Sequence, residues 1–570
     1  MKRYLLPVLA FCLLQACGPH FTTKVIVFGV DGMDPAFVER HWADLPALNQ
    51  LRQEGTFSRL ATTDPPQSPV AWSSFITGLD PAEHGIFDFV HRDAATHEPY
   101  LSISRTTPSR LVIPLGPWEL PLRPGGVELM RKGQPFWEQL AERDIPVSIL
   151  HMPANFPPSK FGEQLAGMGT PDLRGTQGTY TLIDHAGEVD LQGPANTLRR
   201  DHTPTTAKLR IDIDADHPVA RFQLGNQTIL LNEGEWSAWL PVEFPLVPYL
   251  ATTRGMVRIF ARQLHPAVAI YVTPINIDPM DPALPIAHPA SLAPDYSKAI
   301  GRYPTVGIPQ DTAALRNGAL TLPEFLAHTA DILNTERRLL TAALDRYKGG
   351  LLFFYFSSVD QNSHILWGKN EAKLLEYYQG VDSAIADARR REPAARIIVM
   401  SDHGFTSFDR AVNLNAWLRQ EGLLTTRREG TREAQIDWQR TRAWALGLNG
   451  LYLTDPKAAP ELRRRLMELK DPETGKPAIT AVGIQHPSAA NRATAPTLTV
   501  GYAEGYRASW STGLGEVPDH VFDTNTDAWL GDHCVDPAAV PGVLFVSKGP
   551  PITATGIKDL GAAIVRLFGQ

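Results

Sequence analysis

Residues 24–31, KVIVFGVD, are an unbroken run of β-branched and aromatic apolar residues that ends on an acid. Such a run reads as a strand covered on both faces, the situation of a parallel sheet flanked by helices. Two later stretches repeat the pattern: GLLFFYFSSVD at 350–360 and ARIIVMSDHG at 395–404. Between and around them lie helical signals. PALNQLRQEGT (46–56) reads as a helix stopped by Gly55, and SPVAWSSFITG (68–78) as a helix start with Ser68 as N-cap and Pro69 at the first helical position. FLAHTADILNTERRLLTAALDRY (325–347) and KLLEYYQGVDSAIADARRR (373–391) are long amphipathic helices, and GIKDLGAAIVRLF (556–568) closes the chain. Strands alternating with helices predict an α/β sandwich on a mostly parallel sheet.

The middle of the chain differs. TYTLID, KLRIDIDAD, VARFQLGN, TILLNEG and EWSAWLP follow one another with period-two patterning and turn signals between them. They predict an all-β insert, followed by the Pro-rich stretch VTPINIDPMDPALPIAHPASLAP (272–294). The expected division is a lipoprotein-type signal peptide over 1–16, the first part of the α/β core over 17–171, and the insert with its loop over 172–300. The second core part covers 320–420, a small accessory unit 421–500, and the last core part 501–570.

Composition excludes several classes. The chain has 570 residues, 43% hydrophobic and 20% charged, as in soluble globular proteins and too long for one ordinary domain. A formal charge of −7 with both signs scattered, and no basic run, argues against nucleic acid as a partner. At the start, Lys2 and Arg3 precede the apolar stretch YLLPVLAFCLL, which is short for a membrane span. Leu14-Gln15-Ala16-Cys17 resembles the lipobox of bacterial lipoproteins. That resemblance implies cleavage before Cys17, acylation of its thiol, and a bacterial cell-envelope location facing the periplasm or the outside. Gly18 favours the outer membrane. A plain signal peptide with a chance cysteine is the alternative. The other cysteines are Cys12 and Cys534, so a disulfide within the lipidated mature chain is excluded.

The chemistry-bearing residues sit where ligands gather in open α/β sheets, just past the carboxyl ends of strands. Asp31, Asp360 and the pair Asp402-His403 each follow a strand. A single strand-end Asp is more often a cap or turn residue; three such ends beside histidines call for another account. Asp360 and His364 are spaced i, i+4 and share one helix face. Asp402 and His403 are adjacent and need an irregular loop to converge, for which Gly404 supplies freedom. His533, in LGDHCVD, can complete a second site. These six nitrogen or oxygen ligands suit two divalent cations. Ser68, at a helix start that favours a phosphoryl anion, is the nucleophile of choice and a further metal contact.

In this order, these stretches resemble the alkaline phosphatase superfamily, and within it the type I phosphodiesterase/nucleotide pyrophosphatase branch. FITGLDPAEHGIFDF, HMPANFPP, GLNGLYL, DPETGKP and LGDHCVDPAAVPGVLF resemble a poorly characterised phosphohydrolase/phosphomutase-like subgroup with the HGIFDF signature, here His84 to Phe89. The resemblance implies an alkaline-phosphatase-like sandwich interrupted by the insert. It implies two metals, zinc by the family's habit. Asp31, Ser68, Asp402 and His403 would surround one, and Asp360, His364 and His533 the other. Where nucleotide pyrophosphatases place an asparagine after HGI, this chain has Phe87-Asp88-Phe89, an acid that would repel phosphate unless protonated or turned away. Sulfatase chemistry is disfavoured because Ser68-Pro69-Val70-Ala71 lacks the required arginine. The expectation is a metal-dependent phosphodiesterase or phosphomonoesterase, with Ser68 catalytic, acting on an envelope phosphoester rather than free nucleotides. A transferase passing the phosphoryl group to an alcohol, or an inactive binding lipoprotein, are the alternatives. Oligomeric state is left open.

Overall fold

The computed structural model describes residues 23–569 apart from 108, 110, 124 and 428–434; the leader segment and Cys17 lie outside the described residues. An eight-stranded sheet runs in the order Thr56–Leu60, Gly542–Val546, Arg396–Met400, Lys24–Val30, Gly350–Phe356, Val147–Met152, Glu163–Ala166, Ala287–His288. The neighbours from Arg396–Met400 through Glu163–Ala166 are all parallel, and antiparallel pairing enters only with Gly542–Val546 and Ala287–His288. The protein is thus an α/β sandwich on a mostly parallel sheet.

The apolar run at 24–30 has no polar alternation because both its faces are covered. Ile26, Phe28 and Val30 enter one core; Val25 and Val27 enter the other. Successive side chains of a strand point to opposite faces, so each face needs its own helical layer. Pro46–Glu54, Leu322–Arg346 and Glu371–Arg391 bury Leu48, Leu339, Leu340, Tyr378 and Val381 against the first face. Ser68–Thr77 and Leu560–Arg566 bury Trp72, Phe75, Leu560 and Ile564 against the second. Each such burial contributes about 1.5–3 kcal/mol, so a polar residue at Val27 would open the second face. The 25-residue helix Leu322–Arg346 starts in a capping box of Thr321 and Glu324.

The strands between residues 181 and 277 form three antiparallel sheets. The Pro-rich stretch read as a loop contains the strand Ala287–His288, which joins the central sheet, and then runs into the helix Leu292–Ile300. Farther along, Ala443–Ala445, Gly450–Leu453, Leu498–Tyr502 and Ile479–Ile484 form a four-stranded sheet covered by the helix Ala459–Met467. The turn at 447–449 in this unit reaches Asp88. Among the described residues, no helix is long and apolar enough to cross a membrane.

Candidate metal and phosphoryl-transfer site

The parallel strands Lys24–Val30, Gly350–Phe356 and Arg396–Met400 are adjacent, so their carboxyl ends deliver Asp31, Asp360, Asp402 and His403 to one edge of the sheet. Ser68, His364 and His533 arrive from other segments, and all seven side chains are buried. The structure brings together every residue that the sequence singled out for this site.

Asp31, Asp360 and His403 offer ligand atoms within 4.8 Å of one another, as do Asp360, His364 and His533. Around the first group, Ser68 Oγ lies 3.2 Å from both Asp31 Oδ1 and His403 Nε2. His403 Nε2 lies 3.2 Å from Asp402 Oδ2 and 3.5 Å from Asp31 Oδ1. In the second group, Asp360 Oδ1 faces His364 Nε2 at 3.6 Å and His533 Nε2 at 3.8 Å.

The histidine tautomers follow from their other nitrogens. Nδ1 of His364 lies 2.8 Å from the Gly531 carbonyl, Nδ1 of His533 2.7 Å from the Pro66 carbonyl, and Nδ1 of His403 3.1 Å from the Gly404 carbonyl. A carbonyl only accepts, so each Nδ1 carries the proton and each neutral ring turns an Nε2 lone pair to the carboxylates. Burial keeps the rings neutral: it lowers His364 to about 3 and also lowers His533 and His403. Each Nε2 lone pair therefore faces a carboxyl oxygen, and either a proton on that carboxyl or a cation must lie between them. Asp360 Oδ1 and Asp402 Oδ2 are buried without a hydrogen-bond partner among the described residues. Burial raises Asp31 to about 6, and burial with the neighbouring acids raises Asp360 and Asp402 well above the usual range. Keeping ionised carboxylates in such a place costs several kcal/mol each unless a cation compensates. Donors of this kind fit divalent metal ions.

Two local readings need correction. The helix at Ser68 runs Ser68–Thr77 with Gln67 at the cap position, so Ser68 is the first helical residue and Pro69 the second. The N–H groups of Val70 and Ala71 are bonded to the Gln67 carbonyl. Gly404 is required by space: a Cβ there would meet Asp34 Oδ2 at 2.5 Å and the Pro541 carbonyl at 2.7 Å. The glycine with left-handed backbone is Gly32, whose φ is +64° and whose Cβ would lie 3.0 Å from Asp360.

Other participants carry no motif. Tyr355 Oη and Trp72 Nε1 both donate to Asp31 Oδ2, the latter at 3.1 Å. Gly32 N–H donates to Asp402 Oδ1, and Gln361 Nε2 to Asp360 Oδ2. Tyr355 has one sequence signal, a hydroxyl inside an otherwise apolar strand. Asp88, the acid where an asparagine was expected, is held by donors. Its Oδ2 accepts from Gln67 Nε2 at 2.7 Å and from the N–H groups of Leu448 and Asn449 at 2.8 and 3.3 Å. Burial raises it to about 6 against these bonds.

Carboxylates and imidazoles thus gather at the carboxyl edge of a parallel sheet, beside a helix-borne serine. The sequence matches the type I phosphodiesterase / nucleotide pyrophosphatase family over residues 25–216 and 259–508, and the chain belongs to that family. It is accordingly a phosphoric ester hydrolase. Among solved structures, phosphonoacetate hydrolase from Sinorhizobium meliloti 1021 in complex with phosphonoformate is 12% identical, with 96% of this chain and 97% of that chain covered and a TM-score of 0.44. Murine ectonucleotide pyrophosphatase / phosphodiesterase 5 is 12% identical, with 96% and 95% covered and a TM-score of 0.41. No curated protein matches the chain.

Proposed function

We propose that this protein is a metal-dependent phosphohydrolase of the cell envelope, tethered through acylated Cys17, that cleaves a phosphoester with Ser68 as nucleophile. The observation that carries the reading is the convergence of three Nε2 lone pairs on buried carboxylates. Asp31, Asp402, His403 and Ser68 would hold one divalent cation, and Asp360, His364 and His533 the other, zinc by the family's habit. When bound, such cations supply Lewis acidity toward the phosphoryl oxygens and favour the serine alkoxide. Two divalent cations against three carboxylates leave one positive charge to meet the phosphoryl anion.

Ser68 does the bond-making. Its proton has a carboxylate acceptor at 3.2 Å, Asp31 Oδ1; His403 Nε2, also 3.2 Å away, would have its lone pair on the cation. Oγ attacks phosphorus as the bond to the leaving alcohol breaks, and the alcohol takes up a proton. Water then cleaves the phosphoseryl bond and returns the serine. Tyr355 and Trp72 fix the rotamer of Asp31. Hydrolysis of bis(p-nitrophenyl) phosphate and p-nitrophenyl phosphate by purified protein, with acid quenching to trap phosphate on Ser68, tests the proposal. Turnover by a folded, metal-loaded Ser68→Ala variant at the wild-type rate would overturn it.

A further inference from the structure

A cavity of about 390 Å³ opens beside the second metal group. Its lining runs from Asp360, His364 and His533 to Arg316, Arg507 and Trp510. The two arginines have no part in the reading above, and each has unused capacity for an anion.

Arg507 is 2% exposed. Its Nη1 lies 3.1 Å from Asp532 Oδ2, but Nε and Nη2 have no partner among the described residues. Buried N–H groups left unmade are costly, and a guanidinium is the hardest such group to neutralise. Asp532 satisfies it only in part, since that carboxylate also accepts from Trp529 Nε1 and from the N–H groups of His533 and Cys534. Arg316 is exposed and pairs with no acid among the described residues. Asp311, at the start of the same helix and on the same cavity, is already engaged by Tyr271 Oη and Ala314 N–H. Both guanidinium groups rest on one indole: Cζ lies 4.4 Å from the Trp510 ring centre for Arg507 and 5.0 Å for Arg316. The ring is fixed by a 3.0 Å bond from its Nε1 to Asp527 Oδ2. Both cations thus lie within about 5 Å of one ring centre and line one cavity, so an anion in that cavity meets two positive charges.

We propose that Arg316 and Arg507, carried on Trp510, form an oxyanion subsite for a second acidic group of the substrate, a carboxylate or a further phosphate. This rests on the proposed phosphoester site, because the first phosphoryl group is placed at Asp360, His364 and His533. The substrate class is then a phosphoester with an acid a short linker away from the reacting phosphorus. Guanidinium groups suit such planar or tetrahedral oxyanions through paired N–H donors.

Calorimetric titration of the intact metal-loaded protein separates the two ideas, because it needs no turnover. The probes are ethyl phosphate, 2-carboxyethyl phosphate and the bisphosphate of ethylene glycol. The two acidic probes should bind about tenfold tighter than ethyl phosphate, the scale of one charge-assisted contact. Whichever of the two leads identifies the second group. Arg316→Ala should erase most of that advantage and leave ethyl phosphate unchanged. Arg507→Gln should do the same, and if it fails to fold, Arg316→Glu decides the matter by making the acidic probes the weaker ligands. Equal affinity for all three probes in the wild type, or an advantage untouched in Arg316→Ala, overturns the subsite. Discrimination between probes in a protein that hydrolyses no phosphoester would leave the subsite standing and remove the hydrolase reading. Hydrolysis without discrimination would do the reverse.

Discussion

The imidazoles of His403 and His533 stack face to face, with centroids 3.6 Å apart and planes 10° from parallel. One ring belongs to the Asp31–Asp402 group and the other to the Asp360–His364 group, so the stack is the seam between two proposed metal positions. Two protonated rings could not sit this way. Burial lowers the basicity of both, and each donates its one N–H to a backbone carbonyl.

Metal content follows directly. Purified mature protein is expected to hold close to two divalent ions per chain by elemental analysis. Chelation should abolish turnover, and zinc should restore it. It should also lower thermal stability, since a ligand present at a thousand times its dissociation constant stabilises by about 4 kcal/mol. Full activity after verified metal removal would rule the site out as a metal centre.

Ser68→Ala separates chemistry from folding. The lost hydroxyl contacts should change stability by only about 1 kcal/mol, because Gln67 and not Ser68 occupies the cap position. Turnover should fall on the order of a thousandfold or more. Denaturant melts alongside kcat measurements check both.

Asp88→Asn tests whether the acid is a misplaced asparagine. Asp88 Oδ2 accepts three donors, so an amide there must lose acceptor capacity or set an NH2 against N–H groups. The variant should lose about 1–3 kcal/mol of stability. It should gain no nucleotide pyrophosphatase activity over wild type. A gain, read as kcat/KM on a dinucleotide pyrophosphate, would mean that the acid excludes that substrate.

Glu336 gives a pH signature. It is buried and accepts from Ser357 N–H and from the hydroxyls of Ser357 and Ser358, at the start of the helix that carries Asp360 and His364. Burial raises it from 4.5 to about 7. A carboxyl with a raised folded value binds its proton more tightly in the native state, so its stabilising effect is present below pH 4.5 and is lost as pH rises to about 7. At about 1.4 kcal/mol per unit the loss is on the order of 3 kcal/mol. Glu336→Gln should remove this slope. Urea melts of both proteins between pH 4.5 and about 7 should show the stability advantage of wild type shrinking with pH.

Cys17→Ser should abolish lipid attachment and release the protein from the membrane fraction. Intact mass of the wild-type chain provides the check. An unmodified Cys17 would instead indicate simple secretion.

The sheet was legible because burial on both faces leaves a mark in composition: apart from the Tyr355 hydroxyl, no polar group interrupts Val25–Val30 or Leu351–Phe356. The acids and histidines of the candidate site were legible because each breaks such a run at a place where loops collect. Ser68's position within its helix was less so: serine is a preferred cap residue and glutamine is not, yet the backbone places Gln67 at the cap. The pairing strand at 287–288 was hidden in a Pro-rich stretch, and the strand itself is only two residues long.

By itself, then, the sequence determined which strands are buried, that acids and histidines end them, and that a serine opens a helix. Those are local facts, set by hydrophobicity and backbone preference over a few residues. The tertiary structure alone decided that Lys24–Val30 lies between Gly350–Phe356 and Arg396–Met400, which brings Asp31, Asp360 and Asp402 within reach of one another. It also decided that Gly531, Pro66 and Gly404 present the carbonyls that select each histidine tautomer, and that Arg316 and Arg507 meet on Trp510. Contacts between residues hundreds of positions apart depend on strand order and loop path, and no local pattern encodes a backbone carbonyl's direction.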